Sequence, residues 1–145
     1  MKVFTSSIRI KTSGKTEEIN ITDQVGAVVL ESEIYEGMAL VSTGHTTTSV
    51  YLNYADPDLN EDLQGILKEI VPDRPDYKHN KGEFGKNADA HIKSLLIGHG
   101  VTLPVTRGRL GLGEWQTIYF SEFDGPRTRL VSIKVMGLKR DEIKG

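Results

Sequence analysis

Between residues 127 and 136 the chain alternates: Val131, Ile133 and Val135 are separated by Ser132 and Lys134. A two-residue period sends successive side chains to opposite faces, so this stretch predicts a strand with one face in a core and one in water. Such a strand needs neighbours, and the rest of the chain supplies them. Ile8-Arg9-Ile10-Lys11 and Glu18-Ile19-Asn20-Ile21 repeat the alternation on either side of Thr12-Ser13-Gly14-Lys15, as expected of an antiparallel hairpin. Further strands are expected at residues 50–52, 101–106, 110–112 and 114–123. Met38-Ala39-Leu40-Val41 reads differently, because a continuous apolar run between Gly37 and Gly44 predicts a strand buried on both faces.

Three stretches change period. Thr22 or Asp23 caps a short helix with Val25, Val28, Val29 and Ser32 on one side, running up to a break at Gly37. Asp56-Pro57-Asp58 opens a second, in which Leu59, Leu63, Ile66, Leu67 and Ile70 mark the apolar row and Pro72 marks the stop. Asn87 is placed to cap a third, with Asp89 in its first turn and Ala88, Ile92, Leu95 and Leu96 at helical spacing. The expectation is an α+β protein, and 145 residues suit one domain spanning 1–145.

Composition narrows the chemistry. A net charge of −2 with both signs interspersed offers no basic stripe for nucleic acid. There are no cysteines, which excludes disulfides, thiolate metal sites and cysteine nucleophiles together. No apolar run approaches the roughly 18 residues that a membrane span requires, so a soluble cytoplasmic protein is the expectation. The glycines at 108, 111 and 113 resemble a phosphate loop, but no helix follows them.

Histidine is then the most informative residue type, since its ordinary pKa lies near neutrality. Three of the four fall between His79 and His99, and the fourth, His45, ends the apolar strand. His45, His79 and His91 come from three separate elements, which suits a three-imidazole site for a divalent metal, zinc or magnesium; satisfied structural histidines are the alternative. His99 is read as structural or exposed. Thr46, Thr47, Thr48, Arg109, Arg127 and Arg129 carry the hydroxyls and guanidinium forks that hold phosphate oxygens, although a threonine run is equally a good strand. Trp115, followed by Gln116, either stacks on a heterocycle or fills the core. Candidate acids and bases are His91, Asp62 and Glu122, with an ordinary solvated or ion-paired state as the alternative for each carboxylate.

Four segments carry a family resemblance: GHTTTSVYLNYADPDLNEDL from Gly44, HN at His79, NADAHIKSLLIG from Asn87 and PVTRGRLGLGEWQTIYFSEFDGPRTR from Pro104. In this order and spacing they resemble the YjbQ-like proteins, a family associated with a secondary thiamine-phosphate synthase activity. Tyr54 and Gly98-His99-Gly100 depart from the pattern, standing where an acidic residue and a run of small residues are common. The resemblance implies one YjbQ-like domain, with a mixed, mostly antiparallel sheet of barrel-like curvature packed with about three helices, and a homotrimer. It also implies a transferase acting on phosphorylated heterocycles at a metal-assisted, histidine-lined site, with His91, Asp62 and Glu122 as catalytic groups. Thr46, Thr47, Thr48, Arg109, Trp115, Gln116 and Arg127 would then bind the substrate, and His45, His79 and His91 the metal. A phosphorylated-metabolite binding protein without turnover and a metal-dependent hydrolase are the rival readings. No organic cofactor is indicated.

Overall fold

A computed structural model describes residues 1–143. Eight strands alternate with three helices: β1 (Lys2–Lys11), β2 (Glu17–Asn20), α1 (Thr22–Ser32), β3 (Ile34–Thr43), β4 (Thr48–Asn53), α2 (Pro57–Ile70), α3 (Ala88–Ile97), β5 (Gly100–Thr106), β6 (Arg109–Leu110), β7 (Thr117–Glu122) and β8 (Thr128–Lys139). Five strands form one sheet in the order β1-β8-β3-β5-β6 and three form a second in the order β2-β7-β4. Every pairing is antiparallel. Together they make the curled half-barrel of an α+β domain, with the three expected helices.

The inward side chains of the larger sheet, among them Ile10, Val41, Val105, Val131, Ile133 and Val135, meet Val50, Ile118 and Phe120 of the smaller. Val25, Val28 and Val29 of α1 close this core, the three valines whose spacing marks the helix in the sequence. On the other side of the smaller sheet, Leu67 of α2 and Ala90 of α3 pack around Phe123. The smaller sheet is therefore covered twice, and all six residues of β7 are buried.

Three expectations need correction. β1 and β2 are strands, but they do not form a hairpin: β1 pairs with β8 and β2 with β7. The turn between them crosses from one sheet to the other, anchored by Thr12, whose N–H donates to the Arg127 carbonyl at 2.9 Å and whose hydroxyl accepts from the Arg127 N–H at 2.8 Å. Next, β3 is not buried on both faces. Ala39 and Val41 face the core, whereas Met38 and Leu40 are 49% and 43% exposed on the outer face of the larger sheet. The strand covered on both sides is β7 instead. Finally, α1 stops at Ser32, well before Gly37, because Glu33 takes a left-handed conformation at φ 60° and its N–H closes on the Leu30 carbonyl. Beyond it, Gly37 and Gly137 face each other across β3 and β8. A Cβ on Gly37 would lie 2.0 Å from the Met136 carbonyl oxygen, so this crossing needs two glycines.

Candidate functional site

β3 leaves its sheet after Thr43 and the chain enters the smaller sheet at Thr48. The turn between is knit by its own hydroxyls. Thr43 and Thr48 share a hydrogen bond of 2.8 Å, the His45 N–H donates to Thr43 Oγ1 at 3.2 Å, and Thr48 Oγ1 donates to the His45 carbonyl at 3.0 Å. Ser94 of α3 ties the turn to the helix by donating to the Thr48 carbonyl at 2.6 Å. Between turn and helix opens a cleft of about 440 Å³ whose lining includes His45, Thr46, His91, Ser94, Leu95 and His99. His79 lies in the short 3-10 turn Lys78–Lys81, and its ring stands edge to that of His91 with centroids 5.1 Å apart and planes at 75°. His45, His91 and His99 thus line one cleft along α3, with His79 against His91, so that His99 joins the three histidines singled out by the sequence.

Each imidazole has a distinct bonding state. Once β3 has turned away, the Leu130 N–H of β8 donates to His45 Nε2 at 3.1 Å, so the ring takes the place of the next strand residue. In the neutral ring the proton therefore sits on Nδ1. Burial lowers the basicity of His45, and the Arg129 charge lowers it further, against a weaker opposite pull from Glu122. His79 Nε2 lies 2.8 Å from Asn87 Oδ1.

The other candidates lie in several places. Thr46 is on the cleft, but Thr47 and Thr48 are buried, with Thr47 Oγ1 accepting from Arg129 at 2.9 Å. Glu122 is enclosed: Arg129 forks onto it at 2.8 and 2.6 Å, Thr12 donates at 2.8 Å, and the Phe123 and Asp124 N–H groups each donate at 3.1 Å. Burial alone would raise its carboxyl; the bonds from Arg129, Thr12 and Asp124, with the Arg129 charge, outweigh that and hold it below the usual range. In this arrangement it ties β7 to β8 through Arg129 and to the β1–β2 turn through Thr12. Asp62 is exposed on α2, and Arg109 lines a separate depression against α1. Trp115 is 66% exposed and edge-on to Tyr54, neither in the core nor on the cleft. Gln116 Oε1 accepts from the Gly113 N–H at 2.8 Å and so holds its own turn, while Arg127 pairs with Asp124 at 3.3 Å.

The expected metal centre does not fit these residues. Among the described residues no three histidine, aspartate or glutamate side chains are placed to hold an ion. The lone pair of neutral His45 is on Nε2 and already accepts the Leu130 N–H, so the ring has no second lone pair for a metal.

This fold and these residues have close relatives. The family model described as "UPF0047 protein YjbQ-like" matches residues 6–138. The chain belongs to the UPF0047 YjbQ-like family. A UPF0047 protein of Archaeoglobus fulgidus is 44% identical over 129 residues, covering 89% of this chain and 98% of that one. The UPF0047 protein YugU of Bacillus subtilis is 42% identical over 133 residues, covering 90% and 98%. Among solved structures, a YjbQ/UPF0047 family protein of Clostridium acetobutylicum superposes with a TM-score of 0.84 at 41% identity over 90% of this chain and 99% of that one. A YbjQ-like protein of unknown function from Sulfolobus solfataricus gives a TM-score of 0.90 at 33% identity, over 94% and 99%. The YjbQ-like signature therefore spans the turn that carries His45, the helix that carries His91 and the strand that carries Glu122.

Proposed function

We propose that the histidine cleft binds a phosphorylated small molecule and moves protons on it, as an enzyme of the thiamine-phosphate synthase type. The observation that carries this reading is the convergence of His45, His91 and His99 on one cleft, with Thr46 beside them and His79 behind His91. An imidazole N–H and a threonine hydroxyl are donors suited to phosphate oxygens, and imidazole exchanges protons near neutral pH. In the coupling of a pyrimidine diphosphate to a thiazole phosphate, the thiazole nitrogen forms a bond to the carbon that bears the diphosphate. The C–O bond breaks and diphosphate leaves with the electron pair. A donor placed on the departing oxygen stabilises that charge, and no step requires a carboxylate.

Purified protein supplied with both substrates is expected to form thiamine phosphate, and His91→Ala to lower the rate about a hundredfold or more. No product above the His91→Ala control removes the reading. The same donors support a second reading, since imidazole and the Thr46 hydroxyl hold phosphate oxygens whether or not a bond then breaks. Binding without turnover would stabilise the fold by about 2.7 kcal/mol at a hundredfold excess over Kd, with no product formed.

A further inference from the structure

Asn87 stands at the N-cap of α3, where an asparagine side chain ordinarily accepts from the free N–H groups of its helix. Here it makes no such bond. Its Oδ1 lies 2.8 Å from His79 Nε2, and its Nδ2 donates to Asp124 Oδ2 at 2.8 Å. The helix is served by a different asparagine: the buried Asn80 accepts the Ala88 N–H at 3.0 Å and donates to the Arg74 carbonyl at 2.9 Å. A residue well suited to capping has thus been turned toward a histidine, and a second one covers the vacated position.

The direction of each bond follows from the far end of the chain of contacts. Asp124, paired with Arg127 at 3.3 Å, has a carboxylate that accepts and does not donate. The Asn87 amide nitrogen must therefore face Asp124, which leaves its carbonyl oxygen for His79. A carbonyl oxygen needs a donor, so His79 Nε2 carries the proton and, in the neutral ring, the lone pair is on Nδ1. His45 holds the opposite arrangement, with Nε2 accepting and Nδ1 protonated. We infer that Asn87 and Asp124 are positioning residues for His79, holding it as the Nε2–H tautomer so that Nδ1 is the proton acceptor of a ring that stands edge to His91. The proton-accepting role rests on the reading of the cleft as a reaction site; the tautomer does not. When Nδ1 takes a proton the ring becomes imidazolium, and its Nε2–H continues to donate to Asn87.

Nitrogen-15 spectra of the full chain labelled at histidine, recorded at about pH 8.5 where imidazole is neutral, read the tautomers directly. His79 is expected with Nε2 protonated and Nδ1 bare, and His45 with the reverse. Asn87→Ala should lower the Nε2–H to Nδ1–H ratio of His79 about fivefold, the factor of one ordinary hydrogen bond. Asp124→Ala, which touches no histidine, should also lower it by freeing the amide to flip, whereas Asp124→Asn still offers an acceptor and should restore it. A parent protein with His79 protonated at Nδ1, or a ratio unmoved in both alanine variants, overturns the assignment. The parent spectrum alone decides the matter if a variant fails to fold. Because no substrate is present, the predicted tautomer in a protein that forms no thiamine phosphate would remove the catalytic reading and leave the positioning role standing.

Discussion

Glu18 illustrates how a single side chain carries information about pH. It accepts hydrogen bonds from Tyr51 and Gln64, and from Ser121 at 2.8 Å, joining three strands to α2 with no cation among those donors. Burial raises its carboxyl above the ordinary value of 4.5, against the opposite pull of those bonds. The folded chain therefore holds this proton more tightly than the unfolded chain. The associated stabilisation is full below the ordinary value and is lost as pH rises through the raised one. Glu18→Gln keeps the shape without the buried charge. It is expected to melt higher than the parent at pH 7 and to show a flatter dependence of Tm on pH above about 4.5; each kcal/mol corresponds to roughly 2–4 °C at this size. Calorimetry across that window checks it, and a variant that melts lower while keeping the parent's slope would contradict it.

At the scale of elements, the β3–β8 crossing depends on Gly37 and Gly137. Gly137 sits at φ 155°, and a Cβ there would lie 2.1 Å from the Glu36 carbonyl oxygen, beside the irregular register between Ile34 and Glu36. Gly137→Ala is expected to destabilise by about 1–3 kcal/mol in urea denaturation, the usual cost of overpacking, whereas an alanine at Gly26, which meets nothing, should not. The same elements mark how far the sequence could be read. Periodicity located the strands and helices, but in α3 it misplaced the buried face: Ile92, Leu95 and Leu96 are exposed, and Asp89, Ala90, Lys93 and Ser94 are buried. It could not tell which strand pairs with which: Ile8-Arg9-Ile10 alternates identically whether its neighbour is β2 or β8. The apolar run Met38-Ala39-Leu40-Val41 looked doubly buried because an outward methionine and leucine are indistinguishable, in one dimension, from inward ones. At the site, the three elements bearing His45, His79 and His91 were legible from spacing and resemblance. The Leu130 N–H on His45 was not, since it exists because β3 ends where β8 continues. Asn87 was legible as a cap; its diversion to His79 depends on Asp124, 37 residues further along.

The whole molecule is unevenly clothed. The smaller sheet has packing on both faces, while the outer face of the larger one carries an apolar row, Val3, Met136, Met38 and Pro104, in register across four strands. Leu40 adjoins the row opposite Lys134, and Leu130 stands apart from it on β8, beyond Ser132 and Lys134. We propose that this row joins copies of the chain in the homotrimer that the family resemblance implies, because apolar side chains exposed in register across four strands can be covered by a second copy. Sedimentation of the parent is expected to give three chains and that of Met38→Lys a single one; a monomeric parent would exclude the assembly. Leu130 belongs to both worlds, its side chain on the bare face and its amide on the His45 ring. A neighbour pressing on that leucine would also set where the imidazole rests. Dilution would then be felt as chemistry, with reactivity fading as chains part even though every one of them stays folded.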